Sequence, residues 1–239
     1  MSTSGPPGHD PLRAPRGSTA LRPPAEMELA RQLATEAGAD RVSLALFAGP
    51  HDRAVVHGSD PVLVALDDMD ETVGQGPTHE LLATAAPVTV EDLHADDDRW
   101  PLLSATFAVP PELRGLLLLP LRGTGPGAGG RVDVFGALVL ARDRCGPFPL
   151  SGTTTALGAA TLLATMVMVR ALHEDPDTGD DSLDDLIDPR VDVVTRAVGV
   201  LGSSHDLPHG EARRHLQALA FTTGRTLHQT AARLLRDEA

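Results

Sequence analysis

A block of like charge divides this chain. From Glu174 to Asp188 there are eight carboxylates (Glu174, Asp175, Asp177, Asp180, Asp181, Asp184, Asp185 and Asp188) and no basic residue. Such a run repels itself and reads as a solvated linker, so the segments on either side must each bury their own apolar surface. Before it, Thr153 to His173 is a nearly uninterrupted apolar helix pattern, with Leu157, Ala160, Leu163, Ala164, Val167 and Leu172 among its contacts. A helix apolar over so broad an arc must be covered on more than one side. After the block, 51 residues remain (189–239), enough for a small bundle but marginal for an independent core. The 239-residue chain thus divides into an arm (1–24), a body (25–173), the acidic linker (174–188) and a C-terminal unit (189–239).

Within the body the period of the apolar residues changes from segment to segment. The arm is rich in Pro, Gly and Ser and is expected to be disordered. Ala25–Ala37 carries Met27, Ala30, Leu33 and Ala34 on one helical face, with Gly38 as its stop. Residues 41–48, 54–57, 62–65 and 88–90 read as strands, His51-Asp52 as a turn, and Pro77–Ala86 as a helix. The strongest strand signals are Leu113–Leu121 and Val132–Ala141, joined by the Gly/Pro-rich hairpin loop Gly123–Gly130. Short runs separated by turn residues point to an antiparallel sheet packed by helices.

Composition excludes several chemistries. All 20 basic residues are arginine, so a Walker A loop, a kinase strand lysine and a pyridoxal Schiff base are ruled out together. The net charge of −13 opposes general binding to nucleic acid or anionic membranes. A single cysteine, Cys145, rules out an internal disulfide and a Cys-rich zinc site. No apolar signal region opens the sequence and no uninterrupted membrane-spanning run is evident, so a cytoplasmic location without membrane contact is expected. The charge is uneven: from Arg190 onward seven arginines face five acidic residues, which makes the tail the one region suited to a polyanion.

The tail reads as three helices. Asp188-Pro189 opens the first, whose stripe is Val194, Ala197, Val198 and Leu201, broken by Gly202-Ser203-Ser204. The second starts near Pro208, carries Ala212, Leu216, Leu219 and Ala220, and ends at Gly224. Thr226-Leu-His-Gln229 is a capping box for the third, with Leu227, Ala231, Leu234 and Leu235 on its apolar face. The run Arg196-Ala-Val-Gly-Val-Leu201, the Glu211-Ala212 pair, Leu216, Ala220, Arg225-Thr-Leu227 and Ala231 resemble the ANTAR output domain of transcription antitermination regulators. That resemblance implies binding to RNA hairpins, usually as a dimer. It assigns RNA contact to Arg196, Arg213, Arg214, Arg225, Thr226 and Arg233. The pattern departs from the family at Val198, Gly202, Arg213 and Gly224, where Lys, Met, an aromatic and Asn are common. An arginine at 213 can pair with phosphate or stack on a base.

The body has a resemblance of its own. Gly74-Gln-Gly-Pro77, Val88-Thr-Val90, Glu91-Asp-Leu93, Arg99-Trp-Pro101, Gly115–Leu121 and Val134–Leu138 occur in the order found in GAF domains. The implied architecture is an α+β GAF-like domain, a central antiparallel sheet with flanking helices, followed by an all-α three-helix bundle. Domains of the two families are found joined in high-GC bacteria. The resemblance implies a sensor that takes a small-molecule ligand in a pocket near Trp100, Phe107 and Leu117.

Other features have plainer readings. Gly74 and Gly76 are expected to supply positive φ before a helix. The clusters Asp67-Asp68-Asp70-Glu71 and Asp96-Asp97-Asp98 lack calcium-loop spacing and are read as solvated loops, so no metal is expected. His51-Asp52 and His205-Asp206 lack further ligands, and Cys145 beside Arg142 and Arg144 is read as inert rather than as a redox sensor. No nucleophile or metalloprotease motif occurs, so neither an enzyme nor a cofactor is expected. The leading reading is a signal-responsive antitermination regulator, a homodimer through the 153–173 helix. The alternative is a protein-interaction regulator with a bundle that no longer binds RNA; an enzyme on the GAF scaffold is a third.

Overall fold

The computed structural model describes residues 24–47, 53–56, 58–95, 98–126, 132–172, 186–187 and 191–237. Residues 1–23 of the arm, the His51-Asp52 turn and most of the acidic linker lie outside the described residues.

The chain runs α1 (Ala25–Glu36), β1 (Arg41–Phe47), β2 (Arg53–Val55), α2 (Pro61–Val73), α3 (Pro77–Thr84), β3 (Val88–Val90), α4 (Pro101–Thr106), β4 (Gly115–Pro126), β5 (Val132–Arg142) and α5 (Leu150–Leu172). It continues with α6 (Val191–His205), α7 (His209–Thr223) and α8 (Leu227–Asp237). The five strands form one antiparallel sheet in the order β2-β1-β5-β4-β3. The predicted α+β architecture of sheet plus flanking helices is present, and a helical unit follows it.

Strand alternation builds a core on each face of the sheet. Leu117, Leu119 and Leu121 of β4 point to one side, where α1 brings Met27, Ala30 and Ala34, and α5 brings Ala156, Ala159, Ala160, Leu163, Ala164 and Val167. Leu116 and Leu118 point to the other, against Leu63 and Leu66 of α2, Leu81 of α3 and Leu103 of α4. Small residues on α5 let it lie close to the sheet. Its far side, including Leu157, Leu162 and Val169, stays exposed. By length and composition α5 is apolar enough to cross a membrane, which the sequence reading did not anticipate, although 39% of it is buried inside the molecule. Arg170 at its end bonds the buried Glu26 of α1 at 3.0 Å.

Three expectations are corrected. Residues 62–65 belong to helix α2, not to a strand. Asp60 caps it, accepting from the backbone N–H of Val62 (2.9 Å) and of Leu63 (3.4 Å), and Pro61 suits its first turn. The β-branched composition of Val-Leu-Val misled; the buried positions Leu63, Leu66 and Asp70 recur at helical spacing only when the segment is read past Ala65. The Gly202-Ser203-Ser204 break does not end α6, which continues to His205. The linker is not solvated to its end: Leu186 is fully buried in the α1–α5 core and Ile187 bridges Val56.

The C-terminal helices enclose a small core of Ala197, Val198, Leu201, Ala212, Leu216, Ala220, Leu227 and Ala231. Gly224 ends α7 with φ +62°, and the capping box is formed reciprocally. The Gln229 N–H donates to Thr226 Oγ1, and the Thr226 N–H donates to Gln229 Oε1, both at 3.3 Å.

Candidate functional site

Helix α2 contains Asp67-Asp68-Met69-Asp70-Glu71-Thr72. The acidic cluster that reads as a solvated loop is therefore helical and largely buried. The helical period divides it between two directions: residues three and four apart share a face. Asp67 and Asp70 turn toward the sheet, while Asp68, Glu71 and Thr72 turn toward α7 and α8.

On the sheet side the partner is Arg53 of β2, whose side chain is 2% exposed. Its Nη1 donates to Asp67 Oδ1 and Asp70 Oδ1, both at 2.9 Å, and its Nη2 lies 2.8 Å from His79 Nδ1. Asp70, with no exposure, also accepts from the Thr78 N–H at 2.8 Å and so caps α3 from a neighbouring helix. Burial works against its charge, but the bonds from His79 and Arg53 prevail and hold its carboxyl below the usual range. Burial raises that of Asp67, opposed by Arg53. Burial weakens the hold of the Arg53 guanidinium on its proton, and the carboxylates of Asp67, Asp70 and Glu71 more than reverse that, so it stays charged.

Both glycines take positive φ as expected, Gly74 +69° at the end of α2 and Gly76 +158° before α3, and Gly76 has a second reason: a Cβ on it would run into the Asp70 carboxylate. The glycine clears room for the carboxylate that caps α3.

On the opposite side α2 holds the C-terminal helices. Glu71 pairs with Arg213 of α7, and its carbonyl accepts from Gln217 Nε2 at 2.6 Å. The first amides of α8 find their acceptors on α2: Leu227 N–H on Thr72 Oγ1 at 2.7 Å and His228 N–H on Asp68 at 3.1 Å. Burial pushes the Glu71 carboxyl up to about 7, against the pull of Arg213 and Arg53, and raises that of Asp68 as well.

The residues assigned to RNA fall into two groups. Arg225 and Arg233, with Arg236, His228, Gln229, Ala232 and Asp237, line one open concavity of about 590 Å³ along α8. Arg236 was missed by the sequence reading; its spacing from Arg225, Gln229 and Arg233 on one helical face was the available signal. Arg196 and Arg214 are exposed on α6 and α7, Arg214 lying 4.0 Å from Glu211. Arg213 and Thr226, by contrast, are turned inward. Arg213 is committed to Glu71, and Thr226 is buried and used in the cap.

The three residues assigned to a ligand pocket do not converge. Trp100 and Phe107 pack on the α2–α4 side of the sheet, whereas Leu117 points into the α1–α5 core. Adjacent β4 residues face opposite ways, so Leu117 cannot join a pocket that Leu116 and Leu118 border. Trp100 is 5% exposed, donates Nε1–H to Glu80 Oε2 at 3.2 Å and carries Arg99 4.8 Å above its ring. Cys145 is exposed, and its neighbours are engaged elsewhere: Arg142 with the Pro147 carbonyl at 2.6 Å, Arg144 with Asp40 at 3.2 Å. His205 stacks on His215 with centroids 5.7 Å apart. Among the described residues no group of three or more His, Cys, Asp or Glu is arranged to hold a metal ion.

No family model matches the chain, and no curated protein matches it in sequence. Solved structures similar to it include the GAF domain/HD domain protein from Geobacter sulfurreducens, at 18% identity over 61% of this chain and 91% of that one, TM-score 0.45. The GAF domain of a two-component sensor histidine kinase from Bacillus halodurans is similar at 14% identity over 62% and 97%, TM-score 0.44. Type II free methionine-R-sulfoxide reductase from Thermoplasma acidophilum is similar at 12% identity over 60% and 94%, TM-score 0.39.

Proposed function

We propose that this chain is a signal-responsive RNA-binding regulator of transcription antitermination, with a GAF-like sensor domain at 25–173 and an ANTAR-like output unit at 189–239. The observation that carries the RNA reading is the convergence of Arg225, Arg233 and Arg236 on one concavity of α8. A contiguous basic face neutralises successive phosphates, whereas scattered arginines on a chain of net charge −13 do not. His228 and Gln229 in the same concavity add hydrogen-bonding capacity toward bases or sugars. The exposed side of α5 supports a homodimer, since a second copy would cover Leu157, Leu162 and Val169. A small molecule bound by the sensor, or a partner protein, is the signal in this reading.

Gel-shift titration against hairpin RNA at two salt concentrations tests it. Three phosphate contacts to a single-stranded loop predict a log–log salt slope of about −2, at roughly 0.7 per contact. The Arg225→Ala/Arg233→Ala variant is expected to lose most of the affinity while keeping its helicity. Absence of binding by the wild type at low salt would transfer the reading to a protein-interaction regulator, which the inward commitment of Arg213 also fits.

A further inference from the structure

We propose that helix α2 is an internal competitor for RNA: Asp68 and Glu71 occupy sites on α7 and α8 that phosphate groups take once the C-terminal helices swing away. The inference rests on the RNA reading above and adds to it a covered part of the binding face and a means of control.

The contacts between α2 and the bundle are those a polyanion would make. A carboxylate sits on the guanidinium of Arg213, and a second carboxylate accepts the His228 N–H at the start of α8. Gln217 and the Leu227 N–H donate to further oxygens on α2. In each of these four bonds the donor comes from the C-terminal helices and the acceptor from α2, so the surface is recognised as an array of acceptor oxygens. That pattern also describes a phosphate backbone.

The covered surface is continuous with the open one. His228 gives its backbone N–H to Asp68 and also lines the α8 concavity, so Asp68 lies beside the arginine groove. A strand of RNA following the groove from Arg236 past Arg233 to His228 meets α2 next. Only its release extends the track to Arg213.

The latch is built to open. The bundle keeps its own apolar core, from Ala197 to Ala231, when α2 departs. The bonds to α2 that would break are polar, and water replaces them at small net cost. Facing Glu71 are Arg213 from α7, Arg53 from β2 and Asp67 on α2 itself. Because Asp67, Asp70 and Glu71 share one helix, a change at the Arg53–His79 cluster moves the carboxylates that hold α7 and α8.

The test uses the full chain and two readouts. NMR-detected hydrogen exchange at the Leu227 and His228 amides reports docking, with the Leu216 amide as a control for unfolding of the bundle. Affinity for a stem-loop RNA reports competition. Glu71→Arg places like charges together, and is expected to speed exchange at 227 and 228 at least about tenfold while Leu216 is unchanged. It is also expected to tighten stem-loop binding beyond the gain from Glu112→Arg, an exposed site with the same change of charge. In Glu71→Arg/Arg213→Glu slow exchange is expected to return. If the Leu216 amide accelerates too, Thr72→Val, which removes the acceptor of Leu227 together with a bond to the Asp68 carbonyl inside α2 and changes no charge, is read by the same criteria.

Unchanged exchange at 227 and 228 overturns the latch. Faster exchange with no affinity gain over Glu112→Arg overturns the competition but leaves the RNA reading intact. If exchange responds as expected but neither wild type nor any variant binds RNA, the RNA reading itself falls and takes the competition with it.

Discussion

The sheet unit and the C-terminal helices solve the same problem with different means. The sheet has apolar cores on both faces and uses its charged cluster internally, where Arg53 ties β2, α2 and α3 together. The three helices have one small core, and polar bonds join them to α2. Apolar burial is non-directional and is lost only with the fold, whereas a polar interface exchanges its partners for water or for another ligand of the same charge pattern. The difference suits a fixed unit and a releasable one, and four measurements can break or sharpen it.

The largest effect is expected at Arg53. Arg53→Ala leaves Asp67 and Asp70 buried without their counter-charge and is expected to destabilise the sheet unit by about 3–5 kcal/mol, measured by denaturant unfolding. A change under about 1 kcal/mol would mean that the cluster opens readily to water, removing the contrast with the α7–α8 contacts.

Next is Leu216, fully buried in the bundle. Leu216→Ala is expected to cost about 2–4 kcal/mol and to accelerate hydrogen exchange in α6, α7 and α8 while that of β4 and β5 stays slow. Simultaneous loss of protection in the sheet would show one cooperative unit instead of two.

The third measurement is the pH dependence of docking. Glu71 has an ordinary value of 4.5 when solvated and about 7 when docked, so the docked state binds the proton more tightly. Docking is then strongest below pH 4.5, weakens as pH rises toward 7, and levels off above it. The slope from this group is at most about 1.4 kcal/mol per pH unit. Burial of Asp68 against α8 acts in the same direction, whereas Asp67 and Asp70 keep their Arg53 partner in either state. Exchange at the Leu227 and His228 amides, corrected for intrinsic rates, is expected to show more opening at pH 7.5 than at pH 5.5, and Glu71→Gln is expected to flatten the profile. The opposite slope would show that the Arg213 pair outweighs burial.

The smallest effect is local. Thr226→Ala removes one half of the capping box and is expected to cost about 1 kcal/mol, read as fraying of the first turn of α8. A larger loss would show that Thr226 also helps hold α8 on α2, shifting weight from the cap to the docked interface.

Local order was legible in the chain. The Thr226–Gln229 box, Gly224 as the end of α7, the leucine run of β4 and the 3.6-residue stripes of α1 and α8 depend on neighbours a few positions away. The antiparallel sheet followed from short runs with turn residues between them, and the basic character of the tail followed from counting. The convergence of Arg225 and Arg233 on one side of α8 was likewise implicit in helical spacing, although Arg236 went unnoticed beside them.

The direction in which α2 spends its charges was decided by tertiary structure alone. Asp67 to Glu71 has the composition of a solvated loop, and a carboxylate is stable in a buried position only where a partner meets it. Those partners lie far away in sequence: Arg53 is 17 positions before Asp70, and Arg213 is 142 positions after Glu71. Likewise Gly76 could be read as a turn residue, but that it yields space to Asp70 depends on how α2 meets α3. Leu117 and Leu118 are equivalent in composition; strand alternation separates them, and only the packing of helices on the sheet decides which core each enters. Chain-local chemistry determined which elements form; which charge meets which was left to the packing of α2 between the sheet and the C-terminal helices.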